Sequence, residues 1–322
     1  MSESAHRLSL QNIAEAARTI DPVFLHSPQF LSEPMSAQLG CRLTLKVETV
    51  NPIRSFKGRG ADFFLAQRVQ RGDSSPLVCA SAGNFGQALA YACRRRDLSV
   101  IVFAAHNANA LKVERMRALG ADVRLAGKDF DEAKATARDF AAQHGASFVE
   151  DGHDPAISEG AGSIAVELLA GDAAFDVVTV PLGDGALING MARWIKARSL
   201  ATRVIGVVSR GAPAMALSWR AGKPQSTDSA NTIADGISVR EPVAIALDDM
   251  RSLVDDVIEV DEDTLIAAMR LAHQHAGLVI EPAGVAGLAA LLQQPELFAG
   301  AEVATVLCGG NLTSQQIHNW LF

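Results

Sequence analysis

Short apolar runs rich in β-branched residues alternate along this chain with longer stretches whose apolar positions recur at helical spacing. The strand-like runs are Leu43–Val47, Leu77–Ala80, Val100–Ala104, Val177–Val180, Val204–Val208 and Val303–Leu307. Helix-like stretches between them include Gln87–Arg96, Leu111–Leu119, Glu132–Gln143 and Thr264–His275. Continuous apolar strands separated by amphipathic helices predict an α/β fold, with parallel-rich sheets covered by helices on both faces. Several strands run into glycine-containing turns, at Ser81–Asn84, Gly183–Gly185 and Gly309–Gly310. Ligands of open α/β sheets bind beyond the carboxyl ends of the strands, so the chemistry is expected at those turns. The polar stretch Gly222–Asn231 reads as a surface loop.

Composition narrows the class. A length of 322 residues suggests two domains. With 29 basic against 36 acidic residues the net charge is −7, which argues against a nucleic-acid partner. Arg94-Arg95-Arg96 reads as the solvated last turn of a helix. No apolar run approaches the ~20 residues of a membrane span, and Met1–Arg7 lacks the apolar region of a secretory signal. Cys41, Cys79, Cys93 and Cys308 are scattered, which excludes a zinc ribbon and fits a reducing cytoplasm. A cytoplasmic α/β enzyme with a small-molecule substrate is expected.

The most informative segment is Lys46-Val-Glu-Thr-Val-Asn-Pro-Ile-Arg-Ser-Phe-Lys-Gly-Arg-Gly60. A lysine in a glycine-flanked turn is ordinarily a solvated residue. Lys57, however, follows Phe56 and precedes a helix expected to begin near Gly60. A lysine held against apolar surface has a lowered pKa and attacks carbonyl carbons. Three other turns supply what a pyridoxal phosphate site requires. Pro181–Gly190 takes a strand through small residues into a helix, whose free N–H groups and dipole suit a phosphate, although a tight turn without ligand reads equally well. Ser81-Ala-Gly-Asn-Phe-Gly-Gln87 offers a hydroxyl, two amides and backbone donors, although by itself it reads better as a helix cap. Leu307-Cys-Gly-Gly-Asn-Leu312 presents Cys308 at a strand end, where a lone cysteine is usually a small buried apolar residue.

Together these motifs resemble the fold-type II pyridoxal phosphate enzymes, in particular the threonine/serine dehydratase and serine racemase group. The likeness runs from about Leu25 to Asn311 with the motifs in family order, and Thr232–Gly236 and Glu281–Gly287 agree with it. It implies two open parallel-rich sheets, a large domain from 1–75 and 154–322, and a small domain, 76–153, inserted between. It implies that Lys57 forms the Schiff base with pyridoxal 5'-phosphate, that Phe56 lies beside the cofactor and that Asn84 bonds its phenolic oxygen. Gly183, Asp184, Gly185, Ala186 and Leu187 would wrap the phosphate, and Cys308 would face the pyridine nitrogen. Ser81, Gly83 and Gln87 would help to hold the substrate carboxylate. The implied activity is an ammonia-lyase: freed Lys57 removes the α-proton, the β-hydroxyl leaves with help from the cofactor phosphate, and a 2-keto acid and ammonia result. A homodimer is the family expectation. Because the last motif stands close to Phe322, no appended regulatory domain is expected.

Cys308 bears on the reaction type. A carboxylate at that position would keep the pyridine nitrogen protonated and make the ring a full electron sink, whereas a thiol supplies no charge. Elimination, whose carbanion is short-lived, fits better than transamination. Ala82 stands where serine racemases carry a hydroxyl that protonates the opposite face, so dehydration is preferred over racemization. Phe85 replaces a frequent histidine, Ile53-Arg54 replaces Thr-Gly, and Asp184 puts an acid into a glycine loop. The Asp184 side chain is expected to point away from the phosphate or to bond local N–H groups. Arg54, if it faced the pocket, would suit an acidic 3-hydroxy amino acid, but a surface position is the better expectation. Ser209–Met215 lacks the acids that cation-dependent relatives carry after this strand, so no divalent cation site is expected.

Other readings compete. An amino-acid racemase or a β-replacement synthase of the same fold would share these motifs, and a non-catalytic relative would keep the fold alone. Gly160-Ala-Gly-Ser-Ile-Ala165 loosely spells a dinucleotide fingerprint, but no strand precedes it, so it reads as a helix with small packing residues. His273 and His275 fall on different helix faces and make a poor metal pair.

Overall fold

The computed structural model describes residues 6–81, 83–171 and 173–322. Its ten strands among these residues are β1 (Gln29–Leu31), β2 (Arg42–Val47), β3 (Leu77–Ala80), β4 (Val100–Ala104), β5 (Asp122–Leu125), β6 (Ser147–Val149), β7 (Val177–Pro181), β8 (Arg203–Ser209), β9 (Asp256–Val260) and β10 (Glu302–Leu307). They form a six-stranded sheet in the order β1-β2-β10-β7-β8-β9 and a four-stranded sheet in the order β5-β4-β3-β6. Every pairing is parallel except β1 with β2, as the apolar runs predict.

The first helices are α1 (Leu10–Thr19), α2 (Glu33–Leu39), α3 (Lys57–Gln70), α4 (Asn84–Arg94), α5 (Ala110–Ala118), α6 (Phe130–His144) and α7 (Pro155–Leu168). They are followed by α8 (Ala186–Arg198), α9 (Ala214–Ala221), α10 (Ala244–Met250), α11 (Glu262–Ala276), α12 (Ala286–Gln293) and α13 (Ser314–Leu321). This is an α/β architecture of two parallel-rich sheets with helices packed on them, as the sequence predicts. Helix α3 begins at Lys57 rather than near Gly60: the Ser55 hydroxyl accepts from the Lys57 N–H at 3.3 Å and starts the turn early.

The stretch Gly160–Ala165 lies inside α7, with no strand before it, and its small residues are packing surfaces. A Cβ on Gly160 would stand 2.7 Å from the Gly60 Cα, so α3 and α7 touch backbone to backbone. A Cβ on Gly190 of α8 would fall 1.8 Å from the Ser158 carbonyl oxygen of α7. Gly190→Ala must therefore push two buried helices apart. It is expected to cost about 3 kcal/mol, read as a lower urea midpoint at unchanged slope.

Arg59, in the lysine motif, is fully buried. Its guanidinium forks onto Glu48 at 2.8 and 2.9 Å and onto Glu167 at 2.7 and 2.8 Å. Lys46 meets the second Glu167 oxygen at 2.6 Å. Two cations and two carboxylates thus neutralise one another where β2, α3 and α7 meet, and they fix the start of the helix that carries Lys57.

Candidate active site

The lysine loop is built by Asn51 and by the end of β10. The Asn51 side-chain oxygen accepts from the N–H groups of Ile53 at 3.1 Å and Ser55 at 3.3 Å, while its amide donates to the Glu48 and Ser55 carbonyls. The Phe56 N–H donates to the Cys308 carbonyl at 3.0 Å, and the Gly310 N–H to that of Arg54 at 2.9 Å. Lys57 and Cys308 are adjacent for this reason, although they lie far apart in sequence.

They line a cavity of about 660 Å³ between the two sheets, which Phe56, Ser81, Gly83, Asn84, Gly183, Asp184, Gly185 and Leu187 also line. Two predicted site residues stay out of it. Ala186 is fully buried in the first turn of α8, and Gln87 is buried within α4 with its Nε2 unpartnered among the described residues. Gln87, expected to help hold the substrate carboxylate, is not among the residues that line the cavity. Ser81 does the work of a turn residue: its hydroxyl oxygen accepts from the N–H groups of Gly83 at 3.1 Å and Gly86 at 2.8 Å. Ala82 lies outside the described residues.

Lys57 is the main correction. Burial pulls its pKa down as expected, but the carboxylates of Asp151 and Asp184 outweigh burial and raise it. The Nζ makes a short contact with Asp151 Oδ2 and lies 3.8 Å from Asp184 Oδ2 and 4.8 Å from the centre of the Phe56 ring. Asp151, just past the end of β6, belongs to no motif that marks it in the sequence. Its own pKa is pushed up to about 7, by burial and by Asp184, against the pull of Lys57. Asp184 behaves in part as expected. Its Oδ1 accepts from the Ala186 N–H at 3.2 Å, yet its other oxygen leans toward Lys57 rather than away from the cavity.

The opposite wall is a polar chain. Asn311 donates to the Asn84 side-chain oxygen at 2.8 Å, Asn84 donates to Glu281 at 2.6 Å, and Lys112 stands 3.6 Å from Glu281 and 2.6 Å from Asp235. Asn84 keeps a second amide N–H for a ligand. Burial and Asp235 push the Glu281 pKa up, against Lys112. Burial first, then Glu281, push the Cys308 thiol up, so it stays neutral. Two ion pairs, Lys112–Asp235 and Arg240–Asp131 at 3.0 Å, tie α5 and α6 to the segment between α9 and α10, beside the cavity.

The site suits pyridoxal phosphate. A lysine amine, an aromatic ring and a neutral thiol face one space, and α8 opens into it from Gly185, at φ 98°, with no side-chain cap from that residue on its first N–H groups. Those donors and the helix dipole are what a phosphate needs. Asp184 competes for one of them through the Ala186 N–H.

Arg54 is exposed and lies outside the cavity lining, as the surface expectation has it. Arg54→Ala is expected to leave kcat/KM within about twofold on every amino acid tried, acidic ones included. In the Ser209–Met215 turn the Ser209 hydroxyl donates at 2.6 Å to Glu262, which also takes the Thr232 hydroxyl at 2.7 Å and the Ile233 N–H at 2.8 Å. Among the described residues no group of three His, Cys, Asp or Glu is placed to hold a metal ion, and no helix is long and apolar enough to cross a membrane.

A sequence model described as "Pyridoxal-phosphate dependent enzyme" matches residues 21–309. The L-threonine ammonia-lyase of Thermotoga maritima is 33% identical over 310 residues, covering 96% of this chain and 77% of that protein. The structure of maize serine racemase superposes with a TM-score of 0.89 at 27% identity, covering 97% of this chain and 96% of that one. That of the threonine deaminase from T.th. superposes with a TM-score of 0.88 at 30% identity, covering 95% and 99%. With the lysine, the glycine-led start of α8 and the neutral thiol converging on one cavity, the chain belongs to the fold-type II pyridoxal phosphate-dependent enzymes, in the group of the threonine and serine dehydratases and serine racemases.

Proposed function

We propose that the protein is a lyase that deaminates a small neutral 3-hydroxy amino acid, of the threonine or serine type, to a 2-keto acid and ammonia. Pyridoxal phosphate supplies the electron sink that makes the α-proton acidic. Lys57 would hold it, with Phe56 beside the ring, Asn84 donating to it, and Gly183, Asp184, Gly185, Leu187 and the backbone N–H of buried Ala186 around its phosphate. The Lys57 amine would take the α-proton, and the cavity walls would hold the reacting carbons away from bulk water while the β-group departs.

The observation that carries elimination is Cys308, a buried thiol kept neutral where a carboxylate would be needed for a long-lived carbanion. A methyl group at Ala82 in place of a second acid points the same way. Charge supports a neutral substrate over an acidic one: ten carboxylates against five cations line the cavity. An inserted small domain, 76–153, is part of the proposal, supported by the descent of all four strands of the smaller sheet from that span. A cytoplasmic setting is likewise proposed, supported by four free buried cysteines.

The test is a panel of amino acids incubated with the loaded protein, each followed for keto acid, for ammonia and for change of configuration. Keto acid and ammonia are expected from L-threonine or L-serine. Racemized or β-substituted product without keto acid overturns the proposal.

A further inference from the structure

We propose that Asp151 is the acid that protonates the departing β-hydroxyl, and that it works with Lys57 as a single proton relay. This rests on the lyase reading above and adds to it the source of the leaving group's proton.

Asp151 stands at the carboxyl end of β6, where Gly152, at φ 77°, turns the chain away. Its carboxyl group is buried. One oxygen contacts the Lys57 amine, and the other, Oδ1, is buried without a hydrogen-bond partner among the described residues. A buried, unpartnered carboxyl oxygen is costly, and its persistence beside the reactive lysine calls for a ligand or a proton. The charged and titratable groups that face Asp151 are Lys57 from α3, Asp184 from the turn before α8 and Cys79 from β3. Burial keeps the Cys79 thiol neutral. The nearby Asp184 carboxylate raises Asp151 by repulsion. The other acids near Lys112 are committed elsewhere: Glu281 accepts from Asn84, and Asp235 pairs with Lys112.

The chemistry follows from one shared proton. Moving it across the Lys57–Asp151 contact turns an ammonium and a carboxylate into an amine and a carboxylic acid. The amine is the base the α-carbon needs, and the acid is the donor the β-oxygen needs. Lys57 takes the α-proton, the electron pair of the Cα–H bond forms the Cα=Cβ double bond, and the Cβ–O bond breaks. The hydroxyl takes the Asp151 proton and leaves as water. Lys57 is then an ammonium and Asp151 a carboxylate, and passage of the proton back across their contact restores the starting pair. No outside oxidant or acid is consumed.

The experiment compares Asp151→Asn with the unchanged protein on L-serine and on 3-chloro-L-alanine, whose chloride leaves without a proton. A general acid is worth about 10²–10⁴, so kcat/KM on serine is expected to fall at least roughly a hundredfold. On chloroalanine the loss is expected to stay within about fivefold, because Lys57 still removes the α-proton. That second rate also controls for folding and cofactor loading. A readout free of turnover is infrared difference spectroscopy of the cofactor-free chain across neutral pH. The carboxylic-acid carbonyl band of a protonated buried aspartate is expected there, and expected to vanish in Asp151→Asn. Equal losses on both substrates, an unchanged serine rate, or absence of that band each overturns the relay. Failure of the lyase reading looks different: the unchanged protein then yields no keto acid from any hydroxy amino acid.

Discussion

Replacing Lys57 with alanine is expected to cost roughly a thousandfold or more in keto-acid formation, and to abolish the visible absorbance of the loaded protein. No other amine among the described residues takes its place in the geometry of the site. Lys112, which also lines the cavity, is held by Asp235 and Glu281 on the far wall. The substitution should leave the fold in place, because Asp151, already near neutrality in pKa, takes a proton when its cation is removed. Circular dichroism checks the fold while the coupled assay checks turnover. A variant that keeps a tenth of the activity would remove Lys57 from the chemistry.

Arg59→Ala is expected to act on stability instead, at about 3–5 kcal/mol, the cost of stranding buried partners of a broken ion cluster. Glu48 and Glu167 would keep only Lys46 as a cation, and Lys46 reaches Glu167 alone. Urea denaturation measures the loss, and a change under about 1 kcal/mol would contradict the role assigned to the cluster. The same cluster predicts an acid limit. Although burial alone would raise it, Arg59 and Lys46 hold the Glu167 pKa down at about 2. A lowered folded-state pKa gives stability that is present above the unfolded value of about 4.5 and lost as pH falls from there toward 2. Acid unfolding of the unchanged protein should therefore develop in that window, and the Arg59 variant should lose much of this dependence.

The sheets are readable where strands are buried on both faces. The six apolar runs named from periodicity correspond to β2, β3, β4, β7, β8 and β10, and the glycine turns of the site follow β3, β7 and β10. β5 and β9 escape that reading because charged residues interrupt them, as in Asp122-Val-Arg-Leu125 and Asp256-Val-Ile-Glu-Val260. β1 and β6 are only three residues long, too short for an alternation to register.

The site is legible as far as local motifs reach. Phe56, Lys57, Asn84, the Gly183 loop and Cys308 all converge on one cavity, since each sits at the end of a readable strand or the start of a helix. What stays hidden is everything set by partners distant in sequence. The neighbouring Phe56 suggests a lowered pKa for Lys57, whereas Asp151 decides it, 94 positions away and just past one of the unread strands. The motif around Gln87 suggests a substrate contact, while the structure shows it only as a buried residue of α4. Arg59 and Lys112 give no local signal, because their acids come from other elements.

The claim on which the rest depends is that Lys57 carries the cofactor. Borohydride reduction of the protein loaded with pyridoxal phosphate, followed by peptide mass spectrometry, tests it directly. A stable phosphopyridoxyl group is predicted on Lys57 alone. Lys112, Lys128 and Lys134 line the same cavity, and a label on any of them, or none at all, would contradict it.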